Sequence, residues 1–350
     1  MGVYTTINDP SAHFQTATYT GNGSNGHAIT FDGNSNLQPD WLWGKERSQS
    51  GNHNVFDSSR GLTKRLTADQ ADAENTDSTT VTAFNTDGFT LGSSNNINEN
   101  GVTTVAWNWK ANGQGSANSD GSTTTTYTSA NTTSGFSIIK YGGTGSTATI
   151  GHGLGATPKV LFFKQLDGTE NWRVWHRNAP NYSTKALSLN QNLAEFSQSG
   201  WVGTVNNSTI QIGSDGSINL NAKNYICYAF AEKTGFSKFG SHTGNGSTDG
   251  TFIYTGFKPA WFLLKPSSNS GQWFIWDSTR SPINQAQKIL SPESTAAEGD
   301  SSGAAVDFVS NGIKIRNSDG GINQSGVTYI TMAFAAAPLV GSNNIPCTAR

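Results

Sequence analysis

Three lysines stand at matched places in the chain. Lys45, Lys164 and Lys265 each end an apolar run that opens with proline: PDWLWGK from Pro39, PKVLFFK from Pro158 and PAWFLLK from Pro259. Further on, Asp57 and Asp277 close the short runs VFD and IWD, and each is followed three positions later by an arginine, Arg60 or Arg280. Recurring Lys, Asp and Arg could hold an anion or do acid–base work. A shared catalytic role would need the copies to agree, and they do not: the second copy has His176 and Ala179 at those places. The expectation is structural, with each lysine capping a core edge and pairing with an acid such as Asp57 or Asp277.

Other chemistry is thinner still. His13, His27, His53, His152, His176 and His242 are scattered without ligand spacing, so no metal is expected. Asp215 and Asp300 lie in Asp/Asn-rich loops, but Asp-Gly turns explain these as well as calcium does. GNGSNG (Gly21, Gly23, Gly26) has the glycine spacing of a dinucleotide turn, yet no helix follows, and a hairpin is expected. There is no G-x-S-x-G elbow, no Cys/His dyad and no recurring carboxylate pair. Glu46 with Asp57 is the local pair that glycoside hydrolysis could use. No catalytic residue or cofactor is expected, and the chain is read as a non-enzyme. The strongest binding signal is aromatic. Trp41, Trp43, Trp107, Trp109, Trp201, Trp261 and Trp273 exceed what three small cores need. Of these, Trp41, Trp43, Trp201, Trp261 and Trp273 are the candidate ligand or assembly surface, since aromatic faces beside amides suit sugars and flat protein contacts.

The elements that must position these residues come in triplicate. Each copy starts with an aromatic strand and a Gly-Ser turn, at Phe14, Phe136 and Phe236. Each ends with a Gly-hydrophobic pair (GFTLG, TIQIG, GIKIR) and a closing strand (VAWNWK, ICYAFAEK, ITMAFAAA). Pro39, Lys45 and Phe56 lie 119 residues before Pro158, Lys164 and Trp175, which lie 101 before Pro259, Lys265 and Trp276. Landmarks that keep register over three copies signal triplication. The spacing predicts a leader at 1–13, copies at 14–112, 136–234 and 235–337, a Gly/Ser/Thr-rich linker at 113–135 and a tail at 338–350.

Within a copy, short apolar runs alternate or stay continuous over a few residues, separated by Asp-Gly, Asn-Gly and Gly-Ser pairs. The reading is all-β: three tandem antiparallel β-sandwich domains of jelly-roll or concanavalin-like type, with the entry and closing strands of each copy paired. Residues 63–74, 190–197 and 291–298 are the helical candidates. Charged residues are only 13% of the chain and the net charge is −2, so no electrostatic footprint for nucleic acid exists. No run is long enough to cross a membrane as a helix, and Met1 to Pro10 is too polar for a signal peptide. Cys227 and Cys347 read as buried free thiols rather than a disulfide framework.

The ordered motifs YTGNGS, GFTLGSSNNINENG with VAWNWK, TATIGHGLGATPKVLFFK, FAEKTGFSKFGSHTGNGSTDG, GFKPAWFLLK, WDSTR and ITMAFAAAPLV resemble a domain family of unassigned function. That family is found in predicted virion proteins of marine tailed phages, including those of cyanobacteria and of abundant ocean heterotrophs. The resemblance runs from Phe14 to Pro338, and the ending IPCTAR looks like the family's short tail. It implies a concanavalin-like sandwich and a virion structural protein, such as a tail fibre, appendage or capsid-surface decoration. It implies synthesis in the host cytoplasm, other virion proteins as partners, and a homo-oligomer with a trimer favoured. The alternatives are a carbohydrate-binding module that recognises a host-surface glycan and a polysaccharide-degrading β-sandwich enzyme.

Overall fold

The structure is a computed structural model that describes residues 5–340. It is all-β and antiparallel, and each sequence copy forms one lobe of two sheets. The first lobe contains β1 (Phe14–Thr20), β2 (His27–Ile29), β3 (Trp41–Glu46), β4 (Asn54–Asp57), β5 (Lys64–Thr67), β6 (Asn75–Thr76), β7 (Val81–Phe84), β8 (Phe89–Leu91), the single turn α1 (Asn95–Asn98) and β9 (Thr103–Trp109). Its main sheet runs β1-β9-β3-β4-β5-β6 and its small sheet β2-β8-β7.

The second lobe contains β10 (Tyr127–Asn131), β11 (Phe136–Gly142), β12 (Ala148–Gly151), β13 (Val160–Gln165), β14 (Arg173–His176), β15 (Lys185–Ser188), β16 (Phe196–Ser197), β17 (Val202–Val205), β18 (Thr209–Ile212), α2 (Gly216–Asn219) and β19 (Asn224–Phe230). Its sheets are β10-β11-β19-β13-β14-β15-β16 and β12-β18-β17. The third contains β20 (Ser237–Thr243), β21 (Phe252–Tyr254), β22 (Phe257–Pro266), β23 (Phe274–Asp277), β24 (Lys288–Ile289), β25 (Gly299–Asp300), β26 (Val306–Val309), β27 (Gly312–Ile315), α3 (Gly320–Asn323) and β28 (Thr328–Pro338). Its sheets are β20-β28-β22-β23 and β21-β27-β26, with the pair β24-β25.

Entry and closing strands pair in every lobe: Phe14 lies opposite Trp109, Phe136 opposite Phe230 and Ser237 opposite Phe334. On β3 every residue is buried, because strand periodicity sends alternate side chains to opposite faces and each face meets a core. Leu42 points into the lobe's own core with Phe56, Phe89 and Ile97. Trp41 and Trp43 join a second core that draws on all three lobes and includes Trp109, Phe162, Phe230, Trp261 and Phe334. Trp109, Phe230 and Phe334 hold the same place on the three closing strands, and Phe334 lies 5.5 Å from Trp109 and 6.0 Å from Phe230, centroid to centroid. The copies are therefore packed around a common aromatic centre rather than strung out as separate units.

Two expectations need correction. Segments 63–74, 190–197 and 291–298 are not helical; each is extended or turn, and the described helices are single turns elsewhere. The stretch 113–135 is not a free linker. It supplies β10, which extends the second lobe's main sheet along β11, and it buries Thr125, Ser129 and Ser134. The described part of the leader packs on the lobes, with Ile7 in the common core and Asp9 capping the 3₁₀ turn Pro10–Ala12. Cys227 is a buried free thiol on β19. Cys347 and the ending IPCTAR lie outside the described residues.

Candidate functional site

The repeated polar residues meet at the boundaries between lobes. Six backbone hydrogen bonds define those boundaries, two at each. Glu74 N–H donates to Leu166 O (2.8 Å) and Glu170 N–H to Ala71 O (2.9 Å), joining the first lobe to the second. Glu195 N–H donates to Ser267 O (2.8 Å) and Gly271 N–H to Asn192 O (2.7 Å), joining the second to the third. Glu298 N–H donates to Arg47 O (2.8 Å) and Gly51 N–H to Thr295 O (2.8 Å), joining the third back to the first. The residues in each pair are matched positions of the repeat. The chain is thus a closed ring with pseudo-three-fold symmetry. The clasps fall at or beside the three segments whose sequence pattern suggests helix.

Inside each boundary one side chain on the strand that follows the lysine-ended run, β4, β14 or β23, reaches the next lobe's closing strand. Asp57 accepts a hydrogen bond from the Tyr228 hydroxyl at 2.6 Å, and Asp277 accepts one from the Trp107 indole N–H at 2.9 Å. His176 takes this place in the second lobe and donates to Thr331 O through Nε2 at 3.2 Å, while its Nδ1 accepts from Asn178 N–H at 3.2 Å. This arrangement suits a neutral ring, and burial lowers its pKa to about 4. The Asp-to-His difference that argues against a shared catalytic role is thus a change of partner chemistry at one boundary of three.

The arginines are fully buried counter-ions. Arg60 pairs with Asp57, reaches Glu74 at 3.1 Å and donates to Val55 O at 3.1 Å. Arg280 pairs with Asp277 at 2.5 Å, reaches Glu298 at 3.0 Å and donates to Ile275 O at 3.0 Å. Glu298 also accepts a two-pronged contact from Arg47 of the first lobe, at 2.9 and 2.8 Å. These forks are spent on structure, as a buried charge requires.

The lysines do not pair with Asp57 or Asp277. Each ammonium folds back on the next residue's carbonyl: Lys45 on Glu46 O (2.6 Å), Lys164 on Gln165 O (2.8 Å) and Lys265 on Pro266 O (2.8 Å). Lys164 also crosses a boundary to Ala71 O at 3.1 Å. Burial lowers all three pKa values to about 8. Near Lys265, burial raises Glu293 to about 7. Glu293 accepts the Trp273 N–H at 3.1 Å, as Asp69 accepts that of His53 (2.7 Å) and Asn190 that of Trp172 (3.1 Å).

The tryptophans expected at the surface are interior: Trp41, Trp43, Trp201, Trp261 and Trp273 are 5% exposed or less. Trp41, Trp43 and Trp261 fill the common core; Trp201 packs inside the second lobe against Phe163. Trp273 donates its indole N–H across a boundary to Ser188 O (2.9 Å), as Trp172 does to Thr67 O (2.8 Å). The surplus of tryptophan is real, and the surface it covers lies between lobes of one chain. Glu46 and Asp57 do not form an open acid pair; both are buried, with Gln49 on the former and Arg60 on the latter. Among the described residues no group of three or more His, Cys, Asp and Glu is placed to hold a metal. Asp215 caps α2 by accepting from Ser217 N–H at 2.8 Å.

One buried, structural triplet lies outside the sequence-based candidates. Asn98, Asn219 and Asn323 end the three single-turn helices, after Ile97, Ile218 and Ile322, and are 0% exposed. The Asn219 amide donates to Ser146 O and Gly213 O, both at 2.7 Å, and accepts from Thr144 N–H at 2.7 Å. The other two fix the Gly-Ser turns of their own lobes in the same way. The available signal is the Ile-Asn pair, NNIN, GSIN and GGIN, following each Gly-hydrophobic landmark.

No curated protein and no solved structure matches the chain. A family model does match, over residues 9–338, from the cap of the first 3₁₀ turn to the end of β28, so the recurring unit is the whole ring and not one lobe. The chain belongs to that family, described as a domain of unknown function (DUF7483).

Proposed function

We propose that this protein is a non-catalytic structural component of a phage particle, a tail-fibre, appendage or capsid-surface subunit that presents a rigid three-lobed body. The observation that carries the reading is the ring closure. The buried charges of the repeat, Asp57 with Arg60 and Asp277 with Arg280, are consumed in holding lobes together, which is what a load-carrying or display module needs. The particle assignment draws on the resemblance of the ordered motifs to virion proteins of marine tailed phages. Its partners are then other virion proteins. A homotrimer is not needed to provide three-fold closure, since one chain supplies it. The burial of the tryptophans removes the feature that favoured a glycan-binding face.

The test is mass spectrometry of purified particles of the encoding phage, followed by reconstruction of the particle. The expected result is this chain at a stoichiometric copy number with a three-lobed density at the particle surface. Its absence from purified virions would sink the proposal.

A further inference from the structure

The lobes differ in what covers one edge. In the second lobe β10 pairs along β11, from Tyr127 opposite Lys140 to Asn131 opposite Phe136. The same segment also reaches the small sheet. Thr123 N–H donates to Thr149 O (3.0 Å), the Thr128 hydroxyl to Gly151 O (3.3 Å), and Ala130 packs so closely on Gly153 that a Cβ there would meet it at 3.0 Å. In the first lobe the loop after β2 is tied to β1: Gln15 donates to Ser35 O (2.8 Å) and accepts from Gly33 N–H (3.0 Å).

In the third lobe no strand pairs along this edge among the described residues. The leader reaches only its start, where the Thr5 hydroxyl donates to Thr234 O (3.4 Å) and Thr5 packs on Gly235. β20 is the terminal strand of its sheet. Its pairing with β28 puts Phe239 opposite Met332, as Ile138 lies opposite Tyr228, so Ser237–Ser241 correspond to the stretch of β11 that β10 covers. Beside it lies an open cavity of about 420 Å³, lined by Glu232, Ser237, Lys238, Tyr254, Thr255 and Gly256. Gly256 and Tyr254 match Gly153 and Gly151, by the shared pairing of Ile253 with Ile313 and Ile150 with Ile210. The cavity therefore occupies the place that Thr128 and Ala130 fill in the second lobe. Two outward groups at the start of the strand are held within the chain, the Ser237 N–H by Lys233 O at 2.9 Å and the Phe239 N–H by the Glu232 carboxylate at 2.8 Å, which leaves the Ser241 N–H as the outward donor beyond them. Tyr254 is 58% exposed and Phe252 44%, where the second lobe has Gly151 and Thr149.

We propose that the β20 edge is a strand-acceptor site for an extended, Ser/Thr-rich segment of a partner polypeptide. The segment adds antiparallel to Ser237–Ser241 as β10 does to β11, replaces the Glu232 carboxylate at the Phe239 N–H and sets a small side chain on Gly256. Main-chain bonds supply affinity in this mode and side-chain pockets supply selectivity. Tyr254 and Phe252 add a flat apolar face that selects partners with an apolar residue beyond the small one. An uncovered edge of this kind is otherwise a liability that proteins suppress. The inference does not depend on the particle assignment.

The test uses the full chain and a fluorescently labelled synthetic peptide with the sequence of residues 121–133, the segment that makes the equivalent contact within the molecule. Expected are saturable binding by anisotropy and slowed amide exchange at 237–243. Ser241→Pro, which blocks an outward-facing N–H, should weaken binding at least tenfold with the thermal midpoint unchanged. Tyr254→Asp, at an exposed site, should weaken it as well and serves if the proline variant misfolds. No slowing of exchange at 237–243 with millimolar peptide overturns the proposal. So does protection that appears at 136–140 instead, which would mean exchange with β10. Protection at 237–243 that grows with protein concentration and without peptide assigns the edge to a second molecule of this chain and overturns the stated occupant.

Discussion

The Tyr228 hydroxyl donates to the Asp57 carboxylate across the boundary between the first and second lobes, at 2.6 Å and fully buried. Asp57 also neutralises Arg60, so its two roles can be separated. Tyr228→Phe leaves the ion pair intact and should cost about 1–2 kcal/mol, one buried hydrogen bond. Asp57→Ala removes the nearer of the two acids on the buried guanidinium, leaving only Glu74 at 3.1 Å, and should cost more, about 3–5 kcal/mol. Denaturant unfolding of both variants gives the comparison; equal losses would mean that the boundary bond and not the ion pair dominates.

Ring closure predicts one unfolding transition. The common core takes residues from every lobe, including Trp109, Phe230 and Phe334, and removing a lobe would expose large aromatic faces to water. Calorimetry of the full chain should show a single peak with calorimetric and van't Hoff enthalpies in agreement. Fragment 14–112 should not fold alone. Three resolved transitions, or a folded fragment, would contradict this.

Acid should loosen the ring. His176 has a folded pKa near 4 against 6.5 for the free group. A base with a depressed pKa leaves stability intact above 6.5 and loses it as pH falls from 6.5 towards 4, by about 3 kcal/mol in total. Burial acts likewise on His242, lowered to about 4, and on His53, lowered well below its ordinary value. Glu293, raised to about 7, opposes them, since its protonation below that pH relieves a buried charge. Asp40, Glu46 and Asp69, also raised by burial, oppose them too, while burial lowers His13 and His152 as well. The five lowered histidines outnumber the four raised acids, so the thermal midpoint should fall between pH 6.5 and 4. His176→Gln, whose amide can still donate to Thr331 O, should flatten that slope by up to one proton. An unchanged slope would show that the ring does not carry the effect.

The buried asparagines allow a test of one atom. Asn219→Asp keeps the shape but turns an oxygen towards Ser146 O and Gly213 O, where the amide now donates. The expected loss is about 2–4 kcal/mol at neutral pH, for two forfeited bonds and lone-pair repulsion. Asn219→Ala gives the reference, and hydrogen exchange at 143–146 should rise in both variants.

Much of the fold is legible in the sequence because repetition reports on it three times. Turn glycines, apolar runs ending in lysine and closing strands all return in register, and the lobes follow them. The relation between lobes is not legible. An all-buried strand such as Trp41–Glu46 reads the same whether its second face meets a neighbour or a ligand, so the tryptophans suggest a surface. The clasps at Glu74, Glu195 and Glu298 are backbone bonds, to which side-chain identity is nearly indifferent. Asp57 and His176 do the same job with different chemistry, so their disagreement reads as loss of function when it marks a shared position.

The Trp107 indole finds Asp277 170 residues further along the chain, and Arg47 finds Glu298 251 residues along. Translation at roughly 5–20 residues per second therefore leaves the first lobe's aromatic face waiting on the order of 10–30 s for the segment that covers it. During that interval the nascent chain carries Trp41, Trp43 and Trp107 without their final neighbours. Its most exposed moment comes during synthesis, when the half-built ring presents an aromatic face that only later segments of the same chain can cover.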